Sequence, residues 1–280
     1  METRVWGSTG IAVAAISQGT WYVEQAPRAE AIAALRAGLD AGMSHIDTAE
    51  MYGSGKAEEI VAEAIAGRRD EVFLVSKVLP QNASRTGTVA ACEASLKRLK
   101  TDRLDCYLLH WRGRHPLADT IASLEDLQAA SKIGSWGVSN FDADDLQQAE
   151  DIAGPGRIAC NQVLYHLEER GIEHAVVPWC EAHGVAVVGY SPFSHDSFPA
   201  ATSTGGRVLA EIAAHHGATP RQAALAFLVR RPSLLTIPKA ARVAHAVENA
   251  KAGGLRLTEA DIARIDAAFP AGKQRGLAML

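Results

Sequence analysis

Val72-Phe73-Leu74-Val75-Ser76-Lys77 is a short apolar run that ends on a cation. A stretch near 86–99 follows, with Val89, Cys92, Leu96 and Leu99 on one helical face and Glu93 and Lys97 elsewhere. Then comes a second run, Leu104-Asp105-Cys106-Tyr107-Leu108-Leu109-His110, which ends on an imidazole. Strand, amphipathic helix and strand make one β-α-β unit, and apolar runs with so little alternation suit parallel strands buried on both faces.

The same unit recurs along the chain. Strands are predicted near 15–19, 43–47, 72–77, 104–110, 134–139, 158–163, 185–190 and 234–238. Helices are predicted near 28–42, 57–67, 86–99, 119–132, 142–152, 171–183, 206–216 and 243–252, with another near 220–230 behind Pro220. Thr258-Glu259-Ala260-Asp261 resembles a capping box and opens a last helix through Ile262 and Ile265. Arg4 to Ala15 reads as a hairpin turning at Ser8-Thr9-Gly10. Eight repeats in 280 residues, with no linker between them, predict an α/β fold. The expected form is a (β/α)8 TIM barrel with an N-terminal β-hairpin and extra C-terminal helices, as one domain over 1–280. An open doubly wound sheet would carry a glycine-rich phosphate turn after its first strand, and Gly19-Thr20-Trp21 is not one.

Composition narrows the function. The chain is 48% hydrophobic and 21% charged, with 28 basic and 32 acidic side chains and a net charge of −4. So small an imbalance, with no cationic run longer than the pairs Arg68-Arg69 and Arg230-Arg231, argues against a nucleic-acid or anionic-membrane partner. No apolar stretch approaches the roughly 20 residues of a membrane span. Cys92, Cys106, Cys160 and Cys180 form no C-x-x-C pair and read as small buried thiols in a reducing compartment. The start, Met1-Glu2-Thr3-Arg4, does not read as a signal peptide, so the expected location is the cytoplasm. A monomer is expected.

What ends each strand points to chemistry. The ends read Thr20-Trp21, Asp47, Lys77, His110, Ser139-Asn140, Gln162, Tyr190-Ser191 and Lys239. In a barrel these ends meet at one mouth. Asp47 and Lys77 end neighbouring strands, where a salt bridge would allow both to be buried. Tyr52 follows Asp47 by five residues, on a loop that can lean over the mouth. A phenol's ordinary pKa is about 10, and a cation beside it lowers that value. Lys77 could so tune Tyr52 as an acid for carbonyl reduction, with Asp47 holding Lys77 and His110 bonded to the phenol or the substrate oxygen.

Asp47-Thr48-Ala49-Glu50-Met51-Tyr52-Gly53, with Lys77 after an apolar strand and Leu108-Leu109-His110-Trp111, resembles the aldo-keto reductases from Gly19-Thr20-Trp21 to Pro238-Lys239. The resemblance implies NADPH bound extended across the mouth, with NADH as the alternative, no metal, and a catalytic tetrad of Asp47, Tyr52, Lys77 and His110. It also implies that Ser139, Asn140 and Gln162 hold the nicotinamide carboxamide and that Tyr190 stacks on the nicotinamide ring. Thr20, Trp21, Asp47 and Ser191 join the cofactor set, and Lys239 meets the 2′-phosphate of NADP. The sequence departs from the family there: Ala240 follows Lys239, His245 stands where an Arg is common, and Arg242 is the expected substitute. Glu248 and Asn249 match positions near the adenine. Trp21, Tyr52, His110 and Trp111 are the expected substrate contacts, with Met51 beside them. The loop from Phe193 to Gly206, with Ser194-His195-Asp196-Ser197, does not align, and the tail after Phe269 suggests an open pocket. The expected reaction is reduction of a small aldehyde or ketone to an alcohol, with Tyr52 giving the proton. A non-catalytic NADP-binding subunit and a Schiff-base aldolase using Lys77 are the alternatives. A metal-dependent hydrolase built on His45 and Asp47 would have only His110 to complete its ligands, and zinc wants three or four.

Overall fold

The computed structural model describes residues 1–195 and 198–280. Two short antiparallel strands, β1 (Thr3–Val5) and β2 (Ala12–Ala14), form the hairpin, turning through a 3-10 turn at Gly7–Thr9 and left-handed Gly10. Eight parallel strands follow: β3 (Gln18–Gly19), β4 (His45–Asp47), β5 (Phe73–Val78), β6 (Leu104–Leu109), β7 (Ile133–Ser139), β8 (Ile158–Leu164), β9 (Ala186–Tyr190) and β10 (Leu234–Thr236). They pair in chain order. The first and last meet through bridges Ile16–Thr236 and Gly19–Lys239, so the sheet closes into the predicted (β/α)8 barrel. Closure is tight. A Cβ on Gly19 would lie 2.5 Å from the Ile237 carbonyl oxygen, so the seam admits only glycine there.

The helices are α1 (Arg28–Asp40), α2 (Lys56–Ala64), α3 (Gly87–Leu99), α4 (Leu117–Ala129), α5 (Ala143–Ala153), α6 (Val176–Ala182), α7 (Thr204–His215), α8 (Pro220–Leu228), α9 (Val243–Ala252) and α10 (Glu259–Ala268). The capping box at Thr258 forms as read, with the Asp261 carboxylate returning to the Thr258 N–H. A second box, Thr219 with Gln222, opens α8 in front of Pro220. One expectation fails. The helix predicted near 171–183 is a 3-10 turn, Gly171–Glu173, followed by the shorter α6. Pro178 has no N–H to give a preceding turn, and starting the helix at Val176 puts it in the first turn, where none is needed.

Strand alternation decides what faces the barrel axis. Phe73 and Val75 pack inside with Cys106, Leu108, Cys160 and Val188, while Leu74, Val78 and Tyr107 pack outward against the helices. The same period of two puts Lys77 above Val75, His110 above Leu108 and Gln162 above Cys160. Trp6 closes the bottom, its ring 4.8 Å from that of Phe73 and 5.1 Å from that of His45. The hairpin can reach so far in because Gly7, at φ 54°, lies against the Ala159 carbonyl where any Cβ would collide. All four cysteines are buried and free. Among the described residues, no helix is long and apolar enough to cross a membrane.

Candidate active site

The ends of β4, β5 and β8 deliver Asp47, Lys77 and Gln162 to one point. The Lys77 ammonium is fully buried and uses all three N–H groups: to Asp47 Oδ1 at 2.5 Å, to the Thr48 carbonyl at 2.8 Å and to Tyr52 Oη at 3.2 Å. Gln162 Nε2 donates to the other Asp47 oxygen at 2.8 Å. Thr20 Oγ1 donates to the Asp47 carbonyl at 2.9 Å, which ties β3 to the same cluster. Burial works against a charged lysine, but Asp47 and then Tyr52 more than reverse it and hold Lys77 above its ordinary value.

Tyr52 departs from the expectation in one respect. Burial pushes its phenol above the ordinary value, and Lys77 only partly opposes this. The neighbouring cation was legible in the sequence, but the loss of water around the phenol was not. The result is a phenol that keeps its proton. Because Oη accepts from Lys77, its own hydrogen is free to point elsewhere, and Tyr52 lines the cavity above. The ring of His110 stands edge-on to that of Tyr52, centroids 5.8 Å apart. Burial, with Lys77 second, drops its pKa to about 2, so the imidazole is neutral. Its Nδ1 has no hydrogen-bond partner among the described residues.

The opposite wall is an amide network. Ser139 Oγ donates to the Gln162 carbonyl at 2.8 Å. Asn140, at φ 59°, donates from Nδ2 to the His110 carbonyl at 3.1 Å, and its Oδ1 accepts from Tyr190 Oη at 2.9 Å. The cavity between the two walls is about 420 Å³. Thr20, Trp21, Asp47, Tyr52, His110, Trp111, Ser139, Asn140, Gln162, Tyr190, Ser191 and Lys239 all line it, as does Met51. Amides with donor and acceptor atoms beside a flat ring, and a lysine in the same lining, fit a nicotinamide dinucleotide. Three expected cofactor residues lie outside this lining. Arg242 is 3.2 Å from the His245 ring, Glu248 accepts from Thr219 Oγ1 at 2.8 Å, and Asn249 is buried.

Some lining residues were not among the expected site residues, although Phe193 and His195 belong to the loop that the sequence left unaligned. Tyr22, at φ 61°, stacks on Trp21 with centroids 4.6 Å apart, and the His195 ring stands 5.5 Å from Trp21. Tyr22 adjoins a strand end, which could have marked it. Leu280 carries no such signal. Leu280 N–H reaches Tyr190 Oη at 3.4 Å, so the tail borders the cavity. Other contacts hold the tail, among them the Arg275–Glu169 ion pair and the His174–Gly272 carbonyl contact at 3.1 Å. Of the unaligned loop, Asp196 and Ser197 lie outside the described residues.

Two histidines on the barrel axis give a stability prediction. Burial, with Lys77 second, lowers His45 to about 3, and His110 is at about 2, against an ordinary 6.5. Both are depressed, so the stability they contribute is full above the unfolded value and is lost as pH falls towards the folded ones. At about pH 5, above the range where most carboxylates titrate, the loss is about 2 kcal/mol for each. The urea midpoint is expected to fall clearly between pH 7 and pH 5, and equal midpoints would contradict the assignment.

Residues 15–269 match the aldo/keto reductase family, and the chain belongs to it. It is 44% identical over 268 residues to the methylglyoxal reductase YeaE of Escherichia coli (strain K12), covering 95% of this chain and 94% of that protein. It is 31% identical over 238 residues to the glyoxal reductase of Bacillus subtilis (strain 168), covering 85% and 83%. An aldo-keto reductase from Klebsiella pneumoniae, crystallised in complex with NADPH, superposes over the full length of both chains with a TM-score of 0.92 at 43% identity.

Proposed function

We propose that the protein reduces aldehydes and ketones to alcohols with NADPH, with Tyr52 as the proton donor. The observation that carries this is the Tyr52 hydroxyl, protonated, pinned from behind by Lys77 and free to donate into the cavity. The cofactor, when bound, supplies the hydride. Ser139, Asn140 and Gln162 would orient the carboxamide, Tyr190 would cover one ring face, and Lys239 would meet the 2′-phosphate as a point charge. Neutral His110, beside Tyr52, would donate a hydrogen bond to the carbonyl oxygen and so orient it. Asp47 acts behind them, keeping Lys77 charged. We take small aldehydes, 2-oxoaldehydes such as methylglyoxal among them, as the substrate class, which the relatives named for methylglyoxal and glyoxal support.

The Schiff-base alternative needs a neutral amine. Lys77 is held charged with every N–H occupied, which speaks against it. The test is carbonyl-dependent oxidation of NADPH and of NADH, measured with methylglyoxal and with an aryl aldehyde. NADPH is expected to be preferred. Lys239→Met is expected to weaken NADPH about tenfold, about 1.4 kcal/mol, and to leave NADH unchanged. An absence of oxidation with every carbonyl would sink the function, and equal affinity in the variant would sink the role of Lys239.

A further inference from the structure

Glu50 precedes Tyr52 by two residues, on the loop that leaves β4. Its Oε1 accepts two hydrogen bonds, from the Leu79 N–H at 2.7 Å and from Asn82 Nδ2 at 3.0 Å. Leu79 lies two residues beyond Lys77, and Asn82 ends the 3-10 turn Pro80–Asn82 that follows β5. The carboxylate therefore fastens the loop that carries Tyr52 to the segment that continues the strand of Lys77. Backbone pairing is fading at that point. The Thr48 N–H reaches the Val75 carbonyl at 2.9 Å, but the Glu50 N–H reaches the Lys77 carbonyl only at 3.5 Å. Among the described residues no cation pairs with Glu50, so its charge is met by these two donors, and charge-assisted bonds of this kind are the stronger ones.

The turn it leads into needs such a hold. Gly53, Ser54 and Gly55 are left-handed at φ 56°, 54° and 90°, and Ser54 has no glycine's freedom there. The far half of the turn is wedged. Glu24 packs against Gly53 and Arg98 against Gly55, each leaving only 2.5 Å to where a Cβ would stand. The near half is fixed by Glu50. Between them sits Tyr52, whose 3.2 Å contact with Lys77 is at the long limit of a hydrogen bond and would be lost on a small shift of the loop.

We propose that Glu50 is a positioning residue, which sets Tyr52 Oη against Lys77 Nζ by tying its loop to Leu79 and Asn82. The inference rests on the reading of Tyr52 as proton donor. In Glu50→Gln, Oε1 can still accept both bonds, whereas Glu50→Ala removes them. Glu50→Ala is expected to lower kcat by about ten- to a hundredfold, the scale of a misplaced catalytic group, with NADPH affinity within about twofold of wild type. Glu50→Gln is expected to restore kcat to within about threefold. Asn82→Ala, which removes one donor, should fall between them, and it decides the matter if Glu50→Ala does not fold by thermal melting. Wild-type kcat in the alanine variants, a loss seen only in NADPH binding, or a glutamine variant as slow as Glu50→Ala would each overturn the proposal. Tyr52→Phe in the same assay keeps the two readings apart. If it is inactive while Glu50→Ala is normal, only the positioning role fails, and if it turns over normally the donor assignment fails.

Discussion

Tyr52→Phe is expected to lose carbonyl reduction by about 10²–10⁴-fold, the range set by removing a general acid, while still binding NADPH. The substitution deletes one oxygen from a ring that is otherwise packed. The ring keeps its place beside Lys77, whose nitrogen lies 4.8 Å from its centroid, and beside His110. Lys77 keeps two of its three acceptors, Asp47 and the Thr48 carbonyl. The amide wall of Ser139, Asn140 and Tyr190 is untouched. The loss should therefore appear in kcat, and NADPH affinity by fluorescence titration should change little. A loss of NADPH binding equal to the loss of rate would instead make Tyr52 a cofactor contact.

Lys77→Met carries the other large effect, on stability as well as rate. Lys77 and Asp47 form an ion pair with almost no solvent on either side. Removing one partner strands the other charge, which costs about 3–5 kcal/mol in buried pairs. Turnover should fall too, since Tyr52 loses both its anchor and the cation that opposes its rise in pKa. The double variant Asp47→Asn with Lys77→Met removes the stranded charge and leaves an amide oxygen for Gln162. It is expected to recover much of the stability in urea denaturation and none of the turnover. A single variant as stable as wild type would mean that Asp47 is protonated or solvated in the fold, against the ion pair described.

Much of this site could be read from what ends each strand. Val72 to Lys77 and Leu104 to His110 are apolar runs that each end on a polar or charged group, and in a barrel such ends meet at one mouth. That reasoning found Asp47, Lys77, His110 and Gln162, and family resemblance agreed with it. Tyr52, by itself an ordinary loop aromatic, was legible only together with Lys77, Asp47 and His110. What escaped was whatever depends on the whole molecule. Leu280 reaches Tyr190, other contacts hold the tail, and nothing near Leu280 in sequence says so. Burial, the largest cause acting on the Tyr52 pKa, raises it against Lys77, and the sequence does not display that burial. Tyr22 is held in a left-handed conformation that its side chain does not favour, so its place beside Trp21 could not be read from propensity. The helix expected near 171–183 failed for a local reason: Pro178 tolerates a helix only in its first turn.

The central claim is that the Tyr52 hydroxyl supplies the proton in the step that consumes the reduced nicotinamide. A single-turnover experiment tests it most directly, with NADPH bound in advance to excess enzyme, methylglyoxal added, and the loss of nicotinamide absorbance followed in wild type and Tyr52→Phe. The account predicts a fast decay in wild type and, in the variant, intact NADPH binding with a decay slowed by at least about 10²-fold. Equal decay rates in the two proteins would contradict it.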